Sequence, residues 1–94
     1  MVIHIQSLHF KADEKLQEYV REKVSKLFSV NGKIIRAEVT LSEGNTGVNR
    51  CSCEIRLMVP GHDCLASKSA DSHKKAVHAT VNTLLRRLRD EKKR

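Results

Sequence analysis

The run Cys51–Val59 alternates without a break: Cys51, Cys53, Ile55, Leu57 and Val59 are separated by Ser52, Glu54, Arg56 and Met58. A period of two describes a strand with one buried face. Pro60-Gly61 follows, and a turn there returns the chain as a second run, His62–Ser69, with Cys64 and Ala66 on the apolar side. Two more segments share the pattern. Val2–Gln6 sets Ile3 and Ile5 against His4 and Gln6, and Ala37, Val39 and Leu41 alternate with Arg36, Glu38 and Thr40. Four strands that are each apolar on one side only build a sheet with one covered face and one wet face. The cover must come from the rest of the chain.

Two segments have a helical period. Asp13 offers an N-cap with Glu14 in the first turn, and Leu16, Tyr19, Val20, Val24, Leu27 and Phe28 then recur at steps of three and four. This predicts a helix to about Phe28, ended by Asn31-Gly32 with the glycine in a left-handed C-terminal conformation. The second helix starts at Asp71 or Ser72 and carries Val77, Val81, Leu84, Leu85 and Leu88 on one face. Glu43-Gly44-Asn45-Thr46-Gly47 reads as a loop. The order is β-α-β-β-β-α, an α+β class with a four-stranded mixed sheet and both helices on one face. A right-handed crossover makes the first two strands parallel, and two hairpins make the others antiparallel. The helices then run roughly parallel, which brings their C-terminal ends to one edge.

Ninety-four residues make one domain, assigned here to 1–94, and the 39% hydrophobic content is too high for a disordered tail. No stretch approaches the roughly 20 apolar residues of a membrane span, and the N-terminal MVIHIQS has no signal-peptide pattern. Three cysteines are too few for a disulfide scaffold. The expectation is a cytoplasmic protein.

The net charge of +7 is unevenly placed. Residues 1–47 hold seven basic and six acidic residues, whereas 68–94 hold nine basic and three acidic ones. At 100° per residue, Lys75, Ala79, Asn82, Arg86, Arg89 and Lys93 fall within about one quadrant, opposite the leucine stripe and with no acid among them. The first helix differs: Glu14, Glu18 and Glu22 form its outermost line, with Lys15, Lys23 and Lys26 toward the flanks of its apolar stripe. Cations near helix C-termini also complement the dipole and aid solubility. The absence of interspersed acids, with the excess charge gathered in the last 27 residues, puts contact with nucleic acid on an equal footing with that plainer role.

Single-strand readers stack bases on exposed aromatics. Here there is no Trp, and the one Tyr and two Phe sit in or beside the first helix's apolar stripe. Phosphate and sugar contact by Lys and Arg, reading folded RNA by shape, is what remains.

The chain resembles the ribosome hibernation promoting factor and ribosome-associated inhibitor family over nearly its whole length. The residues that carry the resemblance are Val2-Ile3-His4-Ile5, Leu16-Gln17-Glu18-Tyr19-Val20, Lys23, Lys26-Leu27, Cys64-Leu65-Ala66-Ser67, Ala76-Val77 and Leu84-Leu85-Arg86-Arg87-Leu88. The resemblance implies a fold akin to double-stranded-RNA-binding domains. It also implies binding to the small ribosomal subunit in the mRNA and tRNA channel, which stops translation in starvation or stationary phase. Of the family's basic positions, Lys23, Lys26, Arg86 and Lys92 carry over; Lys75, Arg87, Arg89 and Lys93 are added from this chain's own helical geometry. Two segments depart from the family pattern. Ala12-Asp13 stands where members often have Ile-Thr, and Ser72-His73-Lys74 where they tend to have Asp-Met-Tyr. Ending at Arg94, the chain resembles the short form without the C-terminal dimerisation domain, leaving ribosome pairing, where it occurs, to a companion factor.

The remaining chemistry is sparse. With the hairpin centred on Pro60-Gly61, Cys64 opposes Leu57 and Cys53 lies about 13 Å further along, beyond disulfide reach. All three cysteines read as small core residues. A zinc site on Cys51, Cys53 and a nearby His would need its ligands to converge at one point. The histidines have no i, i+4 pair, no Ser/His/Asp or Cys/His group is placed by the topology, and the four glycines form no phosphate-cradling loop. No metal, cofactor, small-molecule substrate or catalytic role is expected. The alternative reading is an interaction module, like a sigma-factor modulator, whose basic helix docks an acidic protein.

Overall fold

A computed structural model describes residues 2–44 and 50–92, for 91 and 92 the backbone only. Strand β1 (Ile3–Leu8) leads into helix α1 (Glu14–Val30), followed by β2 (Arg36–Glu43), β3 (Cys51–Val59), β4 (His62–Ala70) and helix α2 (His73–Lys92). The sheet order is β1-β2-β3-β4, with β1 and β2 parallel and the other neighbours antiparallel. This is the expected β-α-β-β-β-α arrangement. Strands β1 and β4 point the same way, and each is followed by a helix that returns across the same face, so the two helices run the same way, with Tyr19 of α1 meeting the first turn of α2.

The alternation sets the register. Val39 opposes Ile55 and Ile55 opposes Ala66, so the apolar members of neighbouring strands share the helix-covered face. Cys64 stands opposite Leu57, as the hairpin arithmetic requires. Pro60-Gly61 makes the two-residue turn with Gly61 at φ 91°, a backbone that glycine enters without a Cβ penalty. Leu27 from α1, Leu84 and Leu88 from α2 and Leu41, Ile55 and Leu57 from the sheet are almost wholly buried. Each such side chain contributes about 1.5–3 kcal/mol. Thr80, also fully buried, has its hydroxyl 2.7 Å from the Ala76 carbonyl oxygen and 3.2 Å from that of Cys53, which ties α2 to β3 without an orphaned polar group.

Both helices begin at side-chain caps. Asp13 Oδ1 accepts the Leu16 N–H at 2.8 Å, and Ser72 Oγ accepts that of Lys75 at 3.2 Å. Several element ends depart from the sequence expectation, β2 running on to Glu43 and β4 to Ala70. Strand β1 runs on to Leu8 because β2 offers partners as far as Ser42. Helix α1 continues to Val30 and ends on Asn31, whose backbone is extended (φ −135°, ψ 103°) rather than on a left-handed glycine. The Asn31 N–H bonds the Leu27 carbonyl, and its side chain accepts the Lys33 N–H at 2.9 Å, so the cap needs no positive φ. Glu43, read from the sequence as the start of a loop, is instead the last residue of β2, because Cys51 pairs with it across the ladder; residues 45–47 of that loop lie outside the described residues.

Candidate nucleic-acid interface

The two helices form one layer, and the Tyr19 hydroxyl donates to the Lys74 carbonyl at 3.5 Å, which joins the first half of α1 to the first turn of α2. Lys23 and Lys26 lie in the second half of α1, and Arg86 and Arg89 in the second half of α2.

The lysines of α1 meet a different partner. Lys23 Nζ lies 5.4 Å from the centre of the Tyr19 ring and Lys74 Nζ lies 5.6 Å from it, so one half-buried aromatic holds two ammonium groups at the helix–helix groove. Lys74 has no place in the sequence-level set. The signal that finds it is the helical step: 74, 78, 81 and 85 line the flank of α2 that faces α1. Tyr19, read from the sequence as core, proves to be the edge of the core and the floor of a cationic groove.

The other positions divide. Arg86 and Arg89 are exposed and form no ion pair with another described residue. Lys26 is exposed likewise. Lys75 pairs with Asp71 at 3.1 Å, an exposed i, i+4 bridge of the kind worth about 0.3–0.5 kcal/mol, which an incoming phosphate displaces at little cost. Arg87 donates through its guanidinium to the Leu65 carbonyl on the edge strand β4, turning away from the groove. That contact caps a sheet edge. Lys93 and the side chain of Lys92 lie outside the described residues. Acidic residues keep to other lines: Glu14, Glu18 and Glu22 face outward on α1, and none falls between Lys74 and Arg89.

The opposite face of the sheet is polar and internally paired. Arg36 bridges Glu38 at 3.6 Å and Arg56 bridges Asp63 at 3.0 Å. Among the described residues it carries no Phe, Tyr or Trp, and His4 is a single imidazole beside Gln6, Glu38 and Arg56, so it offers bases no extended stacking platform. The helix starts bound an open cleft of about 400 Å³ lined by Phe10, Lys11, Asp13, Lys15, Leu16, Ser72, His73 and Lys74. Phe10 stacks on His73 there, with centroids 4.2 Å apart and planes 12° from parallel. Of the cysteines, Cys53 is wholly buried, and desolvation pushes its thiol up from 9.0 to about 12 against the lowering effect of its hydrogen bond to Thr80. It is an inert core thiol. Cys51 is brought instead to His73 and Glu43, at the far end of the β2–β3 pair. Among the described residues no helix is long and apolar enough to cross a membrane.

Comparison with known proteins locates this architecture. The family model described as sigma 54 modulation protein / S30EA ribosomal protein matches residues 3–94. A ribosomal subunit interface protein from Coxiella burnetii superposes with a TM-score of 0.87 at 16% identity, covering 100% of both chains. The N-terminal domain of Thermus thermophilus Protein Y superposes with a TM-score of 0.80 at 19% identity, covering 94% of this chain and 96% of that one. At these identities the likeness is one of fold. No curated protein sequence gives a match.

Proposed function

The chain belongs to the sigma 54 modulation protein / S30EA ribosomal protein family, and on that premise we propose that it is a ribosome hibernation and translation-inhibiting factor. It binds the small ribosomal subunit in the channel of mRNA and tRNA, in the cytoplasm, as cells enter stress or stationary phase. The outward side of α2 and the adjoining flank of α1 contact ribosomal RNA. Occupying the channel excludes mRNA and tRNA, so inhibition needs no covalent step and the protein acts as a binder rather than an enzyme.

One observation carries the reading. No Asp or Glu occurs between Lys74 and Arg89, and the exposed line from one to the other spans about 22 Å of α2. Lys23 and Lys26 border it across the groove. A band with lysines at one end, arginines at the other and no acid between, and with Tyr19 already occupied by two ammonium groups, is suited to phosphates rather than to separate bases.

The test is sedimentation with purified ribosomal subunits, paired with translation in vitro. The protein is expected to travel with the small subunit and to inhibit translation near one copy per ribosome. Its affinity is expected to fall by about 10³-fold between 50 and 200 mM salt if roughly six phosphates are neutralised. Binding that ignores salt, or capture by one acidic protein with none on ribosomes, would overturn the reading in favour of a protein-docking module.

A further inference from the structure

Three element ends meet at one rim of the molecule. Glu43 is the last residue of β2, Cys51 is the first of β3 directly opposite it in the ladder, and His73 is the first of α2. One ligand atom from each, a carboxylate oxygen, the thiol sulfur and an imidazole nitrogen, lies within 4.8 Å of the other two. Ligands on a tetrahedral zinc ion stand about 3.3–3.6 Å apart, so the three atoms need to close by little more than 1 Å.

The surroundings orient the donors. His73 Nε2 is 3.1 Å from the Ser42 carbonyl oxygen, which only accepts, so Nε2 carries the proton and Nδ1 keeps the lone pair a metal takes. The Phe10 ring stacked on the imidazole fixes its plane. The Cys51 sulfur is buried, 3.9 Å from the Asp71 carbonyl, while Glu43 and His73 are half-buried and leave a path from solvent.

We propose that Glu43, Cys51 and His73 form a binding site for a borderline divalent cation of the zinc class, with water in the fourth position. A mixed sulfur, nitrogen and oxygen set selects zinc or cobalt over magnesium and calcium, which take oxygen ligands. Binding releases the Cys51 proton to solvent, and the thiolate and carboxylate together balance the two positive charges of the ion. The bound ion fastens the start of α2, and with it the level at which Lys74 stands against Tyr19, to the end of the β2–β3 hairpin. This site is independent of the ribosome reading.

Cobalt titration of the full chain, reduced with a phosphine, tests it. One equivalent of Co²⁺ is expected to raise a thiolate charge-transfer band and the intense visible bands of a tetrahedral site, and Zn²⁺ to bleach both. Cys51→Ser is expected to remove the charge-transfer band. His73→Gln and Glu43→Gln are each expected to weaken binding by tenfold or more, whereas Cys64→Ala keeps both bands. Circular dichroism checks each variant's fold, and Glu43→Gln, a half-buried strand-end change, serves if the buried replacement does not fold. A wild-type chain without the charge-transfer band, or full binding by Glu43→Gln, sinks the site.

Discussion

The two helices do the same structural work and present different surfaces. Each starts at a side-chain cap, runs in the same direction and buries leucine and valine wholly in the core beneath it. Outward, α1 shows a line of Glu14, Glu18 and Glu22 beside its lysines, whereas α2 has no acid from Lys74 to Arg89. A helix that only had to cover the sheet would tolerate either pattern, because solvent screens both. The buried faces are matched and the exposed faces are not, and the proposed RNA contact gives that difference a use.

The largest expected effect breaks that difference directly. Replacing Arg86→Glu with Arg89→Glu is expected to weaken ribosome binding by 10²-fold or more, since each charge-assisted phosphate contact is worth about 1.5–3 kcal/mol, with the melting temperature held. The matching change on α1, Glu18→Lys with Glu22→Lys, is expected to leave binding equal or tighter. A gain from the α1 pair as large as the loss from the α2 pair would mean that net charge, not the α2 surface, governs binding.

Next come the matched interiors. Leu27→Ala in α1 and Leu84→Ala in α2, both wholly buried residues, are each expected to cost about 2–5 kcal/mol in urea unfolding. A loss confined to one of them would show that the helices do not form a single cooperative layer.

The smallest effect separates the two sides by pH. Cys53 lies beneath α2, its thiol raised from 9.0 to about 12 by burial. Below pH 9 the thiol is protonated in both folded and unfolded chains, and its contribution to stability is whole. Above that, only the unfolded chain ionises it, so stability falls by about 1.4 kcal/mol per pH unit until the folded thiol titrates too. Urea midpoints at pH 7 and 10 are expected to show this component in Leu27→Ala and to lose it in Cys53→Ala. The same alkaline slope in both variants would place the loss elsewhere.

Much of this molecule is legible in its residues taken in order. The alternation of Cys51–Val59, the Pro60-Gly61 turn, the Asp13 cap and the stripes of both helices each report on a neighbourhood of a few residues, where backbone geometry has only two periods to choose from. Register followed from the same patterns, because a slip by one residue would turn Ile55 and Leu57 into water. The basic line of α2 was legible for the same reason.

Tertiary structure decided what no period encodes: how far one element slides along another. The contact of Tyr19 with the first turn of α2 brings Lys74 to the same ring as Lys23, and it is set by how side chains of the two helices interlock. Arg87, one step from Arg86 in sequence, turns to the Leu65 carbonyl because an unpaired strand edge lies on that side. Glu43, Cys51 and His73 are strangers in sequence and neighbours in space, since the β2–β3 ladder and the start of α2 end at the same rim. The chain determined its elements and their faces by local periodicity; long-range packing determined which charges and which ligands came to stand together.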